Sequence, residues 1–165
     1  MITFTIPGVP QTWKKPAPIK NRRTGKISLR TPPETIAAER HIRSWAVAAF
    51  TEQGRAPFPA SGKSWASRVH LGIRAVFVFP RVKIIPKSCP GRQIYGGLKD
   101  TDRCLNLLLD GLQHERSTAR GKRTRRISMS GVLDDDRQVR DQHARSFYAA
   151  EGEEPHTEVT IWRIK

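Results

Sequence analysis

The chain has 165 residues, enough for one domain with a buried core, and sets 30 Lys and Arg against 15 Asp and Glu for a formal charge of +15. Such an excess asks for a polyanionic partner, nucleic acid before an anionic membrane surface. There is no apolar run that could span a bilayer and no lipidation motif, and the isolated Cys89 and Cys104 lack metal-site spacing, which argues against zinc and fits reduced thiols in the cytoplasm.

The opening MITFTIPG has no basic and apolar leader pattern. Instead Ile2, Phe4 and Ile6 alternate with threonines, which predicts a half-buried strand ended by Pro7-Gly8. From Trp13 to Arg30 the chain carries Lys14, Lys15, Lys20, Arg22, Arg23, Lys26 and Arg30 and no acid, a candidate phosphate-contacting segment with a turn at Asn21–Gly25. Thr31-Pro32-Pro33-Glu34 reads as a capping box opening a helix, with Ile42, Trp45, Ala46 and Ala49 on its packing side and a stop near Gly54. Arg40, His41 and Arg43 lie on that helix, His41 as a surface residue.

After a Pro, Gly and Ser-rich loop at 55–66, Val69, Leu71, Ile73, Ala75, Phe77 and Phe79 share one strand face. From Ala75 both faces are apolar, the mark of a central strand covered on both sides. A long basic loop punctuated by Pro and Gly leads to LKDTDRCLNLLLDGL, then a basic connector, a strand from about Arg137 and a last strand across EVTIWRI. The predicted class is α+β, a small mixed sheet with two main helices.

All seven aspartates, Asp100, Asp102, Asp110, Asp134, Asp135, Asp136 and Asp141, fall in one quarter of the chain. In a polyanion-binding protein clustered carboxylates repel the ligand unless a divalent cation bridges them, and hard oxygen donors suit Mg²⁺. Leu105, Leu108, Leu109 and Leu112 at helical spacing assign one side of the second helix to the core and leave Arg103, Asn106 and Asp110 on the other. Asp100 and Asp102 are expected at or just before its first turn, where a cap or the helix dipole also favours acids. Carboxylates from this helix start and from Asp134–Asp136 at the next strand start could converge on one ion, which would activate water against a phosphodiester.

DxD opening a leucine-bearing helix with a later Asp-Gly-Leu, followed by LDDDRQV, resembles the RusA family of Holliday junction resolvases. ITFTIPGVP, TGKISLRTPPET and VFVFP are similar to its other segments. The resemblance implies a small bacterial or phage homodimer in the cytoplasm that makes paired nicks in four-way DNA junctions with Mg²⁺, or with Mn²⁺ in its place. It implies metal-binding and catalytic roles for Asp100, Asp102 and Asp136, with Asp135 supporting and Asp110 as the helix-end acid. Two positions depart from the family pattern. Arg103 stands where the family has Asn, and Asn106 occupies the position of its catalytic Lys. Lys99 or Arg103 could supply a cation from nearby.

The connector, at about 113–131, is longer than the usual family link and holds Arg116, Arg120, Lys122, Arg123, Arg125 and Arg126 against Glu115 alone. Its few apolar residues predict a mobile arm that clamps DNA backbone. Two other readings are a related protein that binds branched DNA without efficient cutting, and an RNA-binding protein, against which the aspartate clusters count.

Overall fold

The computed structural model describes residues 1–20, 22–58, 69–96, 98–113, 116–117, 125–126, 131–133 and 136–164. Its elements in chain order are β1 (Ile2–Pro7), β2 (Ala17–Lys20), β3 (Ile27–Arg30), α1 (Pro33–Glu52), β4 (Leu71–Phe79), β5 (Gln93–Ile94) and α2 (Leu98–Leu112). There follow β6 (Arg116–Ser117), β7 (Arg125–Arg126), a 3₁₀ turn (Asp136–Gln138), β8 (Val139–Tyr148) and β9 (His156–Arg163). Five strands form one mixed sheet in the order β1-β9-β4-β8-β5, with β4 and β8 parallel and the other neighbours antiparallel. The expected α+β class with a mixed sheet and two helices is what the structure has.

The strand alternation decides which side is covered. Ile2, Phe4 and Ile6 of β1, Leu71, Ile73, Ala75 and Phe77 of β4, and Val159 and Ile161 of β9 are buried in one cluster with Ala46 and Phe50 of α1 and Leu108 and Leu112 of α2. Both helices therefore lie on the same face. On the reverse face Val76 and Val78 are buried in a smaller cluster with Ala149, as the two-sided apolar run of β4 predicted.

Packing chooses a slightly different side of α1 from the one expected. Thr35, Ala46 and Phe50 are buried and Ile42 and Ala49 are partly so, whereas Trp45 is 42 % exposed, its ring T-shaped to that of His41. The capping box does not form. The helix begins one residue later than that pattern requires, Pro32 takes the N-cap place, and no side chain caps the first turn. The stop follows expectation, with Glu52 the last helical residue and Gly54 at a positive φ of 59°.

Two close approaches need glycine. A Cβ at Gly111 would stand 2.8 Å from Ile42 Cβ, so Gly111 is what lets α2 lie tightly on α1. A Cβ at Gly72 would enter the indole of Trp162, its cross-strand partner on β9.

One further feature differs from the sequence reading. The loop after β4 contains the short edge strand β5. Within the connector the described residues include the antiparallel pair β6 and β7, with Arg116 opposite Arg126, and the expected mobile arm otherwise lies outside the described residues. Backbone groups satisfy such a ladder, so it needs no apolar side chains.

Candidate functional site

α2 is the crossover between the parallel strands β4 and β8, so it runs back along the sheet. A hydroxyl contact of 2.7 Å between Thr101 and Ser146 pins its first turn near the far end of β8. At its other end the backbone N–H groups of Val132 and Leu133 both donate to the Leu112 carbonyl at 2.9 Å, and Arg43 Nε donates to the Gln113 carbonyl at 2.9 Å. The chain re-enters the sheet there through buried Leu133 and Gln138. Asp136, just before β8, therefore arrives at the C-terminal end of α2.

Helical geometry separates the DxD pair. Because α2 already begins at Leu98, both acids lie inside it, and residues two apart point about 200° away from each other. Asp100 turns toward the sheet side, where Tyr95 Oη donates to its Oδ2 at 3.1 Å and Arg103 Nη1 lies 3.9 Å from its Oδ1. The Tyr95 ring is stacked on Phe79, centroids 4.4 Å apart, and tilted against Tyr148. Beside it the Cys104 thiol is pushed up to about 12 by burial and then by the Asp100 charge, which makes it a poor nucleophile. Asp102 is exposed on the opposite side, four residues before Asn106 and eight before Asp110.

Asp136 meets the C-terminal half of that same side. It lines an open cleft of about 220 Å³ with Trp13, Asn106, Leu109 and Asp110. Asp110 is half-buried, and its carboxyl is raised above the ordinary range by burial and then by the charge of Asp136. Two oxygen donors held this way are relieved by a hard cation, and Mg²⁺ commonly takes one or two carboxylates and completes its shell with water and phosphate. The donor chemistry fits. The expected convergence of Asp100, Asp102 and Asp136 does not occur, and among the described residues no three His, Cys, Asp or Glu side chains stand close enough to hold a metal. Asp102 lies two turns from Asp110, about 12 Å along the axis, and Asp100 faces away.

The basic candidates divide in the same manner. Lys14, Lys15, Arg22 and Arg23 are exposed, the last two in the turn between β2 and β3. Arg103 is exposed beside Asp100 rather than beside the cleft pair. Lys99 is in α2 and Arg125 and Arg126 are in β7, with their side chains outside the described residues. Arg120, Lys122, Arg123, Asp134 and Asp135 also lie outside them. Asn106, in the lysine position of the resembled pattern, is exposed and lines the cleft.

Trp13 is the site residue that the sequence did not single out. Its backbone N–H donates to the Arg103 carbonyl at 3.2 Å, which lays the segment after β1 across α2. The available signal was an aromatic residue directly before two lysines in an acid-free run.

Among the described residues no helix is long and apolar enough to cross a membrane. Comparison of the chain with protein-family models and with curated protein sequences gives no significant match.

Proposed function

We propose that the protein is a Mg²⁺-dependent, structure-selective DNA endonuclease of the RusA type, acting as a homodimer on four-way junctions. The observation that carries this reading is the meeting of Asp136 with Asp110 in a cleft flanked by Asn106, on a chain of charge +15. A net charge of +15 would draw in DNA, and a pair of acids in the cleft is productive only if a cation stands between them and phosphate. Asp110 and Asp136 are the residues that would hold Mg²⁺, or Mn²⁺ in its place. When bound, such an ion lowers the pKa of water and neutralises charge at a phosphodiester. Asn106 can donate a hydrogen bond to a phosphate oxygen, and Lys14 and Lys15 beside Trp13 would take flanking phosphates.

A second reading, binding of branched DNA without efficient cleavage, is favoured by Asn106 itself. Its neutral amide stabilises a developing oxyanion less than an ammonium does. Incubation of the protein with a labelled four-way junction, with and without Mg²⁺, tests both. Mg²⁺-dependent nicking near the branch, with linear duplex spared, is the expected result. Tight junction binding without nicking selects the second reading, and preference for RNA overturns both.

A further inference from the structure

We propose that Trp13 is a stacking platform for an unpaired nucleobase at the branch point, an inference that rests on the DNA-binding reading but not on cleavage. The indole is half-buried and forms one wall of the cleft that Asn106, Leu109, Asp110 and Asp136 complete. Among the described residues the main apolar cluster is assembled without it, so a large aromatic surface is held at the protein boundary. It is also held in place. The Trp13 to Arg103 hydrogen bond anchors an otherwise irregular segment on the rigid helix α2.

The charges around the ring indicate which part of a nucleic acid fits there. Asp110 and Asp136 repel a bare phosphate, whereas a base is neutral and offers a π-face that an indole accepts whatever its sequence. The exposed Lys14 and Lys15, next in the chain, are placed for the phosphates on either side of that base. Paired bases in a linear duplex are already stacked and gain little from the site. Bases at a branch are partly unstacked, so Trp13 would favour branched over linear DNA without reading sequence.

Because the base needs no cation, the effect is measurable without divalent metal, where nothing is cut. The probes are a four-way junction carrying 2-aminopurine beside the branch and a linear duplex of the same sequence. Trp13→Ala is expected to weaken junction binding about 5- to 100-fold while leaving duplex binding within about twofold. Trp13→Phe should keep most of the affinity, and the 2-aminopurine signal should be quenched by the parent and Trp13→Phe but not by Trp13→Ala. Equal losses on both DNAs overturn the proposal, as does a Trp13→Leu variant that matches Trp13→Phe, because apolar volume would then suffice. The Phe and Leu variants decide the matter even if Trp13→Ala fails to fold. A parent that binds junction and duplex alike removes the branched-DNA reading itself. A parent that prefers the junction, and a Trp13→Ala variant that keeps that preference, removes only the role of Trp13.

Discussion

The hydroxyls of Thr101 and Ser146 lie 2.7 Å apart, and this contact marks where along the sheet α2 begins, and with it which aspartates share a site. Ser146 is seven residues into β8 from Val139, about 23 Å at 3.3 Å per residue. With the first turn of α2 tied there, its last turn lies beside the start of β8, so Asp136 is adjacent to Asp110 and remote from Asp100.

The first prediction follows from that separation. Asp110→Asn and Asp136→Asn should each lower single-turnover cleavage of a four-way junction in Mg²⁺ roughly a hundredfold or more, with junction affinity equal or higher. Asp100→Asn should cut at close to the parent rate, because its carboxylate is occupied by Tyr95 and Arg103. Loss of cutting in Asp100→Asn alone would move the site to the other end of α2.

Asn106→Lys should raise the cleavage rate. Position 106 lines the cleft, and an ammonium aimed at a developing oxyanion is worth about 2.7–4 kcal/mol, on the order of a hundredfold or more. Asp110 is four residues further along the helix and could hold part of the new charge, which would reduce the gain. Single-turnover rates of parent and variant at saturating protein give the comparison, and a brisk parent with no faster variant would discard the binding-only reading.

Gly111→Ala should destabilise the fold by about 1–3 kcal/mol, since the new methyl would meet Ile42 at 2.8 Å and push α2 off α1. Urea unfolding measures the loss. Ile42→Ala in the same chain should recover part of it, and strictly additive effects would show that the two positions do not share the contact.

Arg92 ties the segment before β5 to β9 and to the turn that precedes it, donating to Glu153 of the turn in a bidentate pair and to Glu158 of β9 at 2.7 Å. Glu153 is held below its ordinary value first by the hydrogen bond from Arg92. Glu158 is raised by burial, yet hydrogen bonds from Arg92 and His156 bring it below the ordinary value as well. Depressed carboxylates contribute stability that is fully present above the ordinary value of 4.5 and disappears as pH falls through the folded values. Arg92→Ala should therefore cost about 1 kcal/mol at pH 7, since water screens these partly exposed pairs. The gap should close in acid. Thermal unfolding across pH tests this, and a gap that stays constant below pH 4.5 would assign the loss to packing.

Much of the fold was legible from local pattern. Period-two alternation in Ile2–Ile6 and the two-sided apolar run of β4 specified strands and their buried faces, because side-chain direction along a strand is a local property. The leucines of α2 likewise marked its core side. In α1, however, residue types alone did not separate Ala46 from its neighbour Trp45, because only the surface across from the helix selects between adjacent stripes. The acid-rich quarter and the large excess of positive charge were readable from composition, since charge is additive along a chain. Which acids meet was not. Asp100 and Asp102 are close in sequence yet face opposite sides of α2, and Asp110 and Asp136 are 26 residues apart yet share a cleft. Trp13 joins them from the far end of the chain. These neighbours depend on where a helix begins, on the direction in which a crossover returns, and on the packing that sets its position along the sheet, all relations that exist only once the elements have packed.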